Sequence, residues 1–99
     1  MITFKELLER VKSELIAIHT ATEKQAKALL KALDKRGYEW TLGVKLTTQT
    51  NYDLAKENTC YSFRDYYGKL LNKVIMYGPL NSYKGDGYTI IEFSDIVLK

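Results

Sequence analysis

Gly87-Tyr88-Thr89-Ile90-Ile91-Glu92-Phe93-Ser94-Asp95 is the stretch whose reading decides the fold. A strand with one wet face alternates apolar and polar residues. Here Tyr88 and Ile90 point to one face while Ile91 and Phe93 point to the other, so both faces need cover. Val74-Ile75-Met76-Tyr77 has the same character. Two doubly buried strands in 99 residues imply that something lies across each side of a sheet. Working back along the chain, residues 88–93, 71–77, 59–64 and 38–41 read as four strands. Residues 47–57 and 80–87 read as surface loops, the second holding Tyr83, Lys84 and the turn-forming Gly85-Asp86-Gly87.

The cover comes from the N-terminal third. Thr3 and Glu6 have capping-box spacing. Phe4, Leu8, Val11, Leu15 and Ile18 follow at steps of four and three, which predicts a first helix over residues 3–18 with a narrow apolar seam. Thr22 and Gln25 repeat the capping signal. Ala26, Leu29, Leu30 and Leu33 form the apolar face of a second helix, which Gly37 closes. The fold class is therefore α+β, with two N-terminal helices packed on a four-stranded, mostly antiparallel sheet. The chain is a single domain over residues 1–99, with residues 1–20 readable as an added element. The seam of the first helix suits its own sheet or a like helix, and one helix cannot cover two faces. A homo-oligomer is expected on that ground.

Composition narrows the partners. A lone cysteine, Cys60, cannot form an internal disulfide, and no run is long enough to cross a membrane. The expectation is a protein of the cell interior with no membrane partner. Fifteen Lys and Arg against twelve Asp and Glu give +3, a mild bias towards anionic partners. With one His and one Cys, 41 residues apart, no metal site is expected. No cofactor motif appears, and no spacing singles out a carboxylate pair. A Cys60–His19 nucleophile pair would need the two to meet beside a third, orienting group. The simpler reading of Cys60 is a buried thiol. Glu92, inside an apolar strand, is expected to pair with a lysine. No catalytic residue is assigned.

Eight tyrosines remain, all but Tyr38 beyond position 50. Tyr61, Tyr77 and Tyr88 fall in strands and read as core or half-core. Tyr66, Tyr67 and Tyr83 fall in turns or loops beside Lys69 and Lys84, where rings could stack a base and ammonium groups could hold phosphate. These five make the candidate ligand site. A second candidate is a contact surface for a protein partner, using Lys5, Glu9 and Lys12 of the first helix. Lys27, Lys31 and Lys35 on the second helix form a further line, which would also suit nucleic-acid phosphates.

Gly37-Tyr38-Glu39-Trp40, Asn58-Thr59-Cys60, Tyr77-Gly78, Tyr83 and Gly87 to Asp95 occur in an order that resembles a family. It is that of small uncharacterised accessory proteins of phages and prophages in low-GC Gram-positive bacteria. The likeness spans residues 22–96, and the first helix lies outside it. The resemblance implies a compact accessory module in the cytoplasm of an infected host, and implies no reaction. By analogy with other phage accessory proteins, the expected role is non-catalytic counter-defence, by sequestering a nucleotide immune signal. The alternatives are direct inhibition of a host immune protein such as a CRISPR nuclease, or a small nucleic-acid-binding regulator.

Overall fold

In the computed structural model, which describes residues 1–98, the segment read as a first helix divides into a short helix and a strand. A two-residue strand β1 (Ile2–Thr3) leads into α1 (Phe4–Arg10), whose capping box forms as the spacing predicts. The Thr3 hydroxyl accepts from the Glu6 amide at 3.1 Å. The helix ends at Val11, and Arg10 grips Glu14 through two 2.9 Å bonds across the following turn. Strand β2 (Ile16–Thr20) follows. Leu15 and Ile18 fit a helical period, but Ile16, Ile18 and Thr20 also alternate with Ala17 and His19, and β-branched residues favour the strand. Burial decides between the two. Ile16, Ala17, Ile18 and Thr20 are all buried, whereas a helix would leave Ile16 and Ala17 off its seam; Leu15 is instead 36% exposed.

Helix α2 (Glu23–Asp34) forms much as the pattern predicts. The Thr22 hydroxyl caps it by accepting from the Gln25 amide, and Ala26, Leu29, Leu30 and Leu33 are buried. Gly37 takes φ +86°, which lets the Tyr38 amide reach back to the Leu33 carbonyl at 3.2 Å and close the helix. Residues 38–41 do not join the main sheet; Glu39 makes only isolated bridges to Lys45 and Val74. The polar run beyond them is a surface segment, as read, wound into short 3-10 turns. The Tyr52 hydroxyl ties it down by donating to the Ala21 carbonyl at 2.8 Å.

The remaining elements are β3 (Thr59–Ser62), β4 (Met76–Pro79), α3 (Leu80–Gly85), β5 (Thr89–Glu92) and β6 (Ile96–Val97). The expected strand over 71–77 starts later, because Lys73 adopts φ +61° and interrupts extended backbone. The expected loop over 80–87 is mostly α3, begun after Pro79, whose fixed φ suits a helix start. The main sheet runs β4-β3-β2-β5. β2 and β4 are antiparallel to β3, while β5 is parallel to β2. The small β1–β6 pair is parallel. The architecture is α+β, with three helices and a mixed four-stranded sheet. It is not two N-terminal helices laid on a sheet, since the expected first helix stops at Arg10 and its last residues, from Ile16, belong to an inner strand.

One face of the sheet carries Ile16, Ile18, Tyr61 and Ile91, which join Leu29, Leu30 and Leu33 of α2 in the core, with Phe4, Leu7, Trp40 and Leu46 around them. The other face carries Ala17 and His19, Cys60 and Ser62, Gly78, and Ile90 and Glu92 in cross-strand register. Ala17, Cys60 and Ser62 are buried there, and α3 contributes to their cover. Much of the cover for both faces therefore comes from this chain itself. The long helical seam on which pairing with a second copy was argued does not exist.

Candidate functional site

The second face of the sheet holds two groupings of chemistry-bearing residues. The first is a cleft of about 240 Å³ between β4, the turn after β3, and α3. Three tyrosines, Tyr66, Tyr83 and Tyr88, line it together with Arg64, Asp65 and Asp86. Tyr77 also borders it, but that residue shares the face of Tyr61 and its ring meets Trp40 edge-on at 5.6 Å. Tyr83 sets its shape. The ring lies over Gly78, where a Cβ would sit 3.4 Å from Tyr83 Cε2. Its hydroxyl is 3.0 Å from Ser62 Oγ, and Tyr88 meets it edge-on with centroids 5.0 Å apart. Burial pushes the Tyr83 phenol up to about 12, against a smaller lowering by the Ser62 hydrogen bond. Tyr88 is also raised by burial, with Arg64 opposing.

The turn after β3 is held from two sides. Asp65 Oδ1 accepts from the amides of Tyr67 at 2.9 Å and Lys69 at 3.0 Å. Arg64 donates Nη1 to the Gly68 carbonyl at 2.9 Å and Nη2 to the Val11 carbonyl at 3.1 Å. Its Nε is buried without a partner among the described residues. This frame presents Tyr66 and Tyr67, 88% and 89% exposed, as an edge-on pair with centroids 5.4 Å apart.

Of the five sequence-derived ligand residues, Tyr66 and Tyr83 line the cleft. Tyr67 stands beside Tyr66, outside the lining. Lys69 and Lys84 are not in the lining either; Lys84 lies near enough to Cys60 to lower its thiol pKa. Tyr83 also differs from its reading as a loop residue spare to the core, being helical and packed. Arg64, Asp86, Tyr77 and Tyr88 were not assigned to the site. A signal was present in Gly78, since glycine within an apolar strand marks the close approach of another group. Of the alternative partner residues, Lys5, Glu9 and Lys12 are exposed on and just after α1, with Lys12 paired to Glu9 at 3.3 Å. Lys27, Lys31 and Lys35 are exposed along α2.

The second grouping is a row of Cys60, His19 and Glu92, which face one another across β3, β2 and β5. These are the residue types of a nucleophile, base and orienting acid, and the expected lysine partner of Glu92 is replaced by His19. The geometry does not complete that chemistry. His19 Nδ1 lies 2.7 Å from Glu92 Oε1 and Nε2 lies 2.6 Å from the Glu57 carbonyl. Both ring nitrogens are therefore engaged with oxygen atoms. Neither nitrogen is free for the thiol. Cys60 is fully buried, and burial first, then the Glu92 charge, pushes its thiol up to about 12, against Lys84. The row as it stands clamps three strands and the Glu57 turn.

Comparison with known protein families, curated proteins and solved structures finds no match to this chain. Among the described residues, no three His, Cys, Asp or Glu side chains are grouped to hold a metal ion. Nor, among the described residues, is any helix long and apolar enough to cross a membrane.

Proposed function

We propose that this protein is a non-catalytic binding module whose tyrosine cleft captures a small aromatic ligand. The observation that carries the reading is the convergence of Tyr66, Tyr83 and Tyr88 on one open cleft, with Tyr66 almost wholly exposed at its edge. An exposed ring adds nothing to a core, and a ring held in place is a stacking platform. The cleft's 240 Å³ is smaller than a drug-sized site, which suits one base with part of its sugar. Its charged groups are one cation, Arg64, and two carboxylates, Asp65 and Asp86. That balance favours the base and sugar inside and any phosphate outside, away from the two carboxylates. The ligand class is accordingly a nucleotide held by its base. Together with the phage-like sequence pattern, this supports capture of a nucleotide immune signal as the role.

Isothermal titration calorimetry against cyclic and ADP-ribose-type nucleotides tests the reading. A stacked ring is worth about 1–3 kcal/mol, so Tyr66→Ala should weaken capture by roughly 5- to 150-fold at unchanged stability. Equal affinity in the variant, or no binding by any nucleotide, would overturn it. A second reading rests on the same turn. Two adjacent exposed tyrosines on a rigid frame are also what a protein interface uses as an anchor, and this favours direct inhibition of a host protein. There, Tyr67→Ala should matter as much as Tyr66→Ala, whereas Tyr67 lies outside the cleft lining.

A further inference from the structure

Charge is unevenly spread in this chain, and α2 with the two residues after it holds the excess. Lys24, Lys27, Lys31, Lys35 and Arg36 stand there against Glu23 and Asp34, an excess equal to the +3 of the whole chain. Asp34 is already committed, at 3.0 Å from Lys45 Nζ. No described residue forms an ion pair with Lys27, Lys31 or Lys35, and the Glu23–Lys27 pair that their spacing allows does not form. The helix is also flanked by a groove on each side. One, of about 390 Å³, runs between Lys27 and Lys31 and the hydroxyl-bearing Thr47, Thr48 and Thr50, with Glu23 as its one carboxylate. The other, of about 340 Å³, has Lys31, Lys35 and Arg36 as its charged lining, with no carboxylate. Lys31 belongs to both, so the lysines form a ridge with a trough on either side.

We propose that this ridge is a docking surface for the phosphate backbone of a nucleic-acid duplex. Lysines at successive helical turns advance about 6 Å per step along the axis, so three ammonium groups and the Arg36 guanidinium form a line rather than a point. A line of unpaired cations fits a line of phosphates, and the Thr47 and Thr50 hydroxyls beside it are donors of the kind that position a backbone, while that of Thr48 is spent on the Lys45 carbonyl at 2.7 Å. A duplex fits better than a single strand because the ridge has no stacking platform. The only aromatic residue in either groove is Phe4, which is 1% exposed with Arg36 lying over its ring at 4.7 Å. Without rings to hold splayed bases, affinity comes from charge and is indifferent to sequence.

Fluorescence anisotropy of a fluorescein-labelled, mixed-sequence DNA duplex over a salt series tests this. Four phosphate contacts predict a slope of log affinity against log salt of about −3 to −4. Lys27→Gln, Lys31→Gln and Lys35→Gln should each reduce that slope by about 1. Lys12→Gln and Tyr66→Ala should leave it unchanged, which separates this surface from the cleft. All three lysines are exposed, so circular dichroism of the triple variant should match the parent. No binding at low salt would overturn the proposal, as would a triple variant that binds like the parent. Tighter binding of the separated single strand would also overturn it, as would displacement of the duplex by polyglutamate at equal charge, which would point to an acidic protein instead.

Discussion

Exchanging the two neighbours Leu15 and Ile16 for alanine, one at a time, tests whether residues 16–20 form an inner strand. A helical seam would bury Leu15 and expose Ile16; the strand reverses this. Ile16 is 1% exposed and packs in the core, while Leu15 is 36% exposed at the rim. Large-to-small changes in a core cost about 2–5 kcal/mol. For a domain of this size each kcal/mol moves the unfolding temperature by about 4–8 °C. Ile16→Ala at a middle value of about 3 kcal/mol should therefore lower Tm by roughly 12–24 °C. Leu15→Ala, already about a third in water, should cost about 1–2 kcal/mol. Trp40 is the only tryptophan and is 5% exposed, so its fluorescence follows global unfolding in heat or urea. Ala17→Glu adds a second arm: it forces a charge into the buried second face and should prevent folding, although Ala17 is off the helical seam. Equal costs for Leu15→Ala and Ile16→Ala would refute the strand.

Other consequences can be measured in the same way. Gly78→Val should push Tyr83 off β4 and cost about 1–3 kcal/mol as an overpacked contact, while Gly78→Ala, whose Cβ would sit 3.4 Å from the ring, should stay within about 1 kcal/mol; equal effects would argue against the ring's position. Leu42 is fully exposed at φ +63°, a conformation that asparagine tolerates better, so Leu42→Asn should raise stability by about 0.5–1 kcal/mol in a urea titration. Cys60 and Tyr83 keep their protons to about 12 in the fold. The unfolded chain releases them from about pH 9 to 10, so stability should fall as pH rises from about 9 to about 12. Below pH 8, alkylation of Cys60 by iodoacetamide should proceed only on unfolding; rapid labelling of the folded protein would contradict its burial.

Much of the fold is legible where a local signal and burial agree. Helix α2 carries a cap, an apolar face and a closing glycine that all point the same way, and residues 59–62 and 89–92 carry the β-branched and aromatic runs of inner strands. The failures share a cause. Residues 15–20 satisfy two periods at once, and only packing against β3 and β5, distant in sequence, decides for the strand. Residues 80–85 lack an apolar stripe because so short a helix, lying across the second face of the sheet, needs only one large side chain, Tyr83, to hold it. The site was half legible for the same reason. Tyrosines in turns can be found by their oddity, but Arg64, Asp86, Tyr77 and Tyr88 join the cleft only through pairing of β4 with β3 and the fold-back of α3. The facing of Cys60, His19 and Glu92 likewise depends on strand register, which spacing along the chain does not encode.

Native mass spectrometry of the protein purified from cells mounting an immune response tests the central claim most directly. Capture in the tyrosine cleft predicts a 1:1 adduct with nucleobase absorbance, released unchanged on denaturation and diminished in the Tyr66→Ala variant. A protein that flies free of any small molecule, or that carries a stoichiometric host protein in its place, would contradict the account.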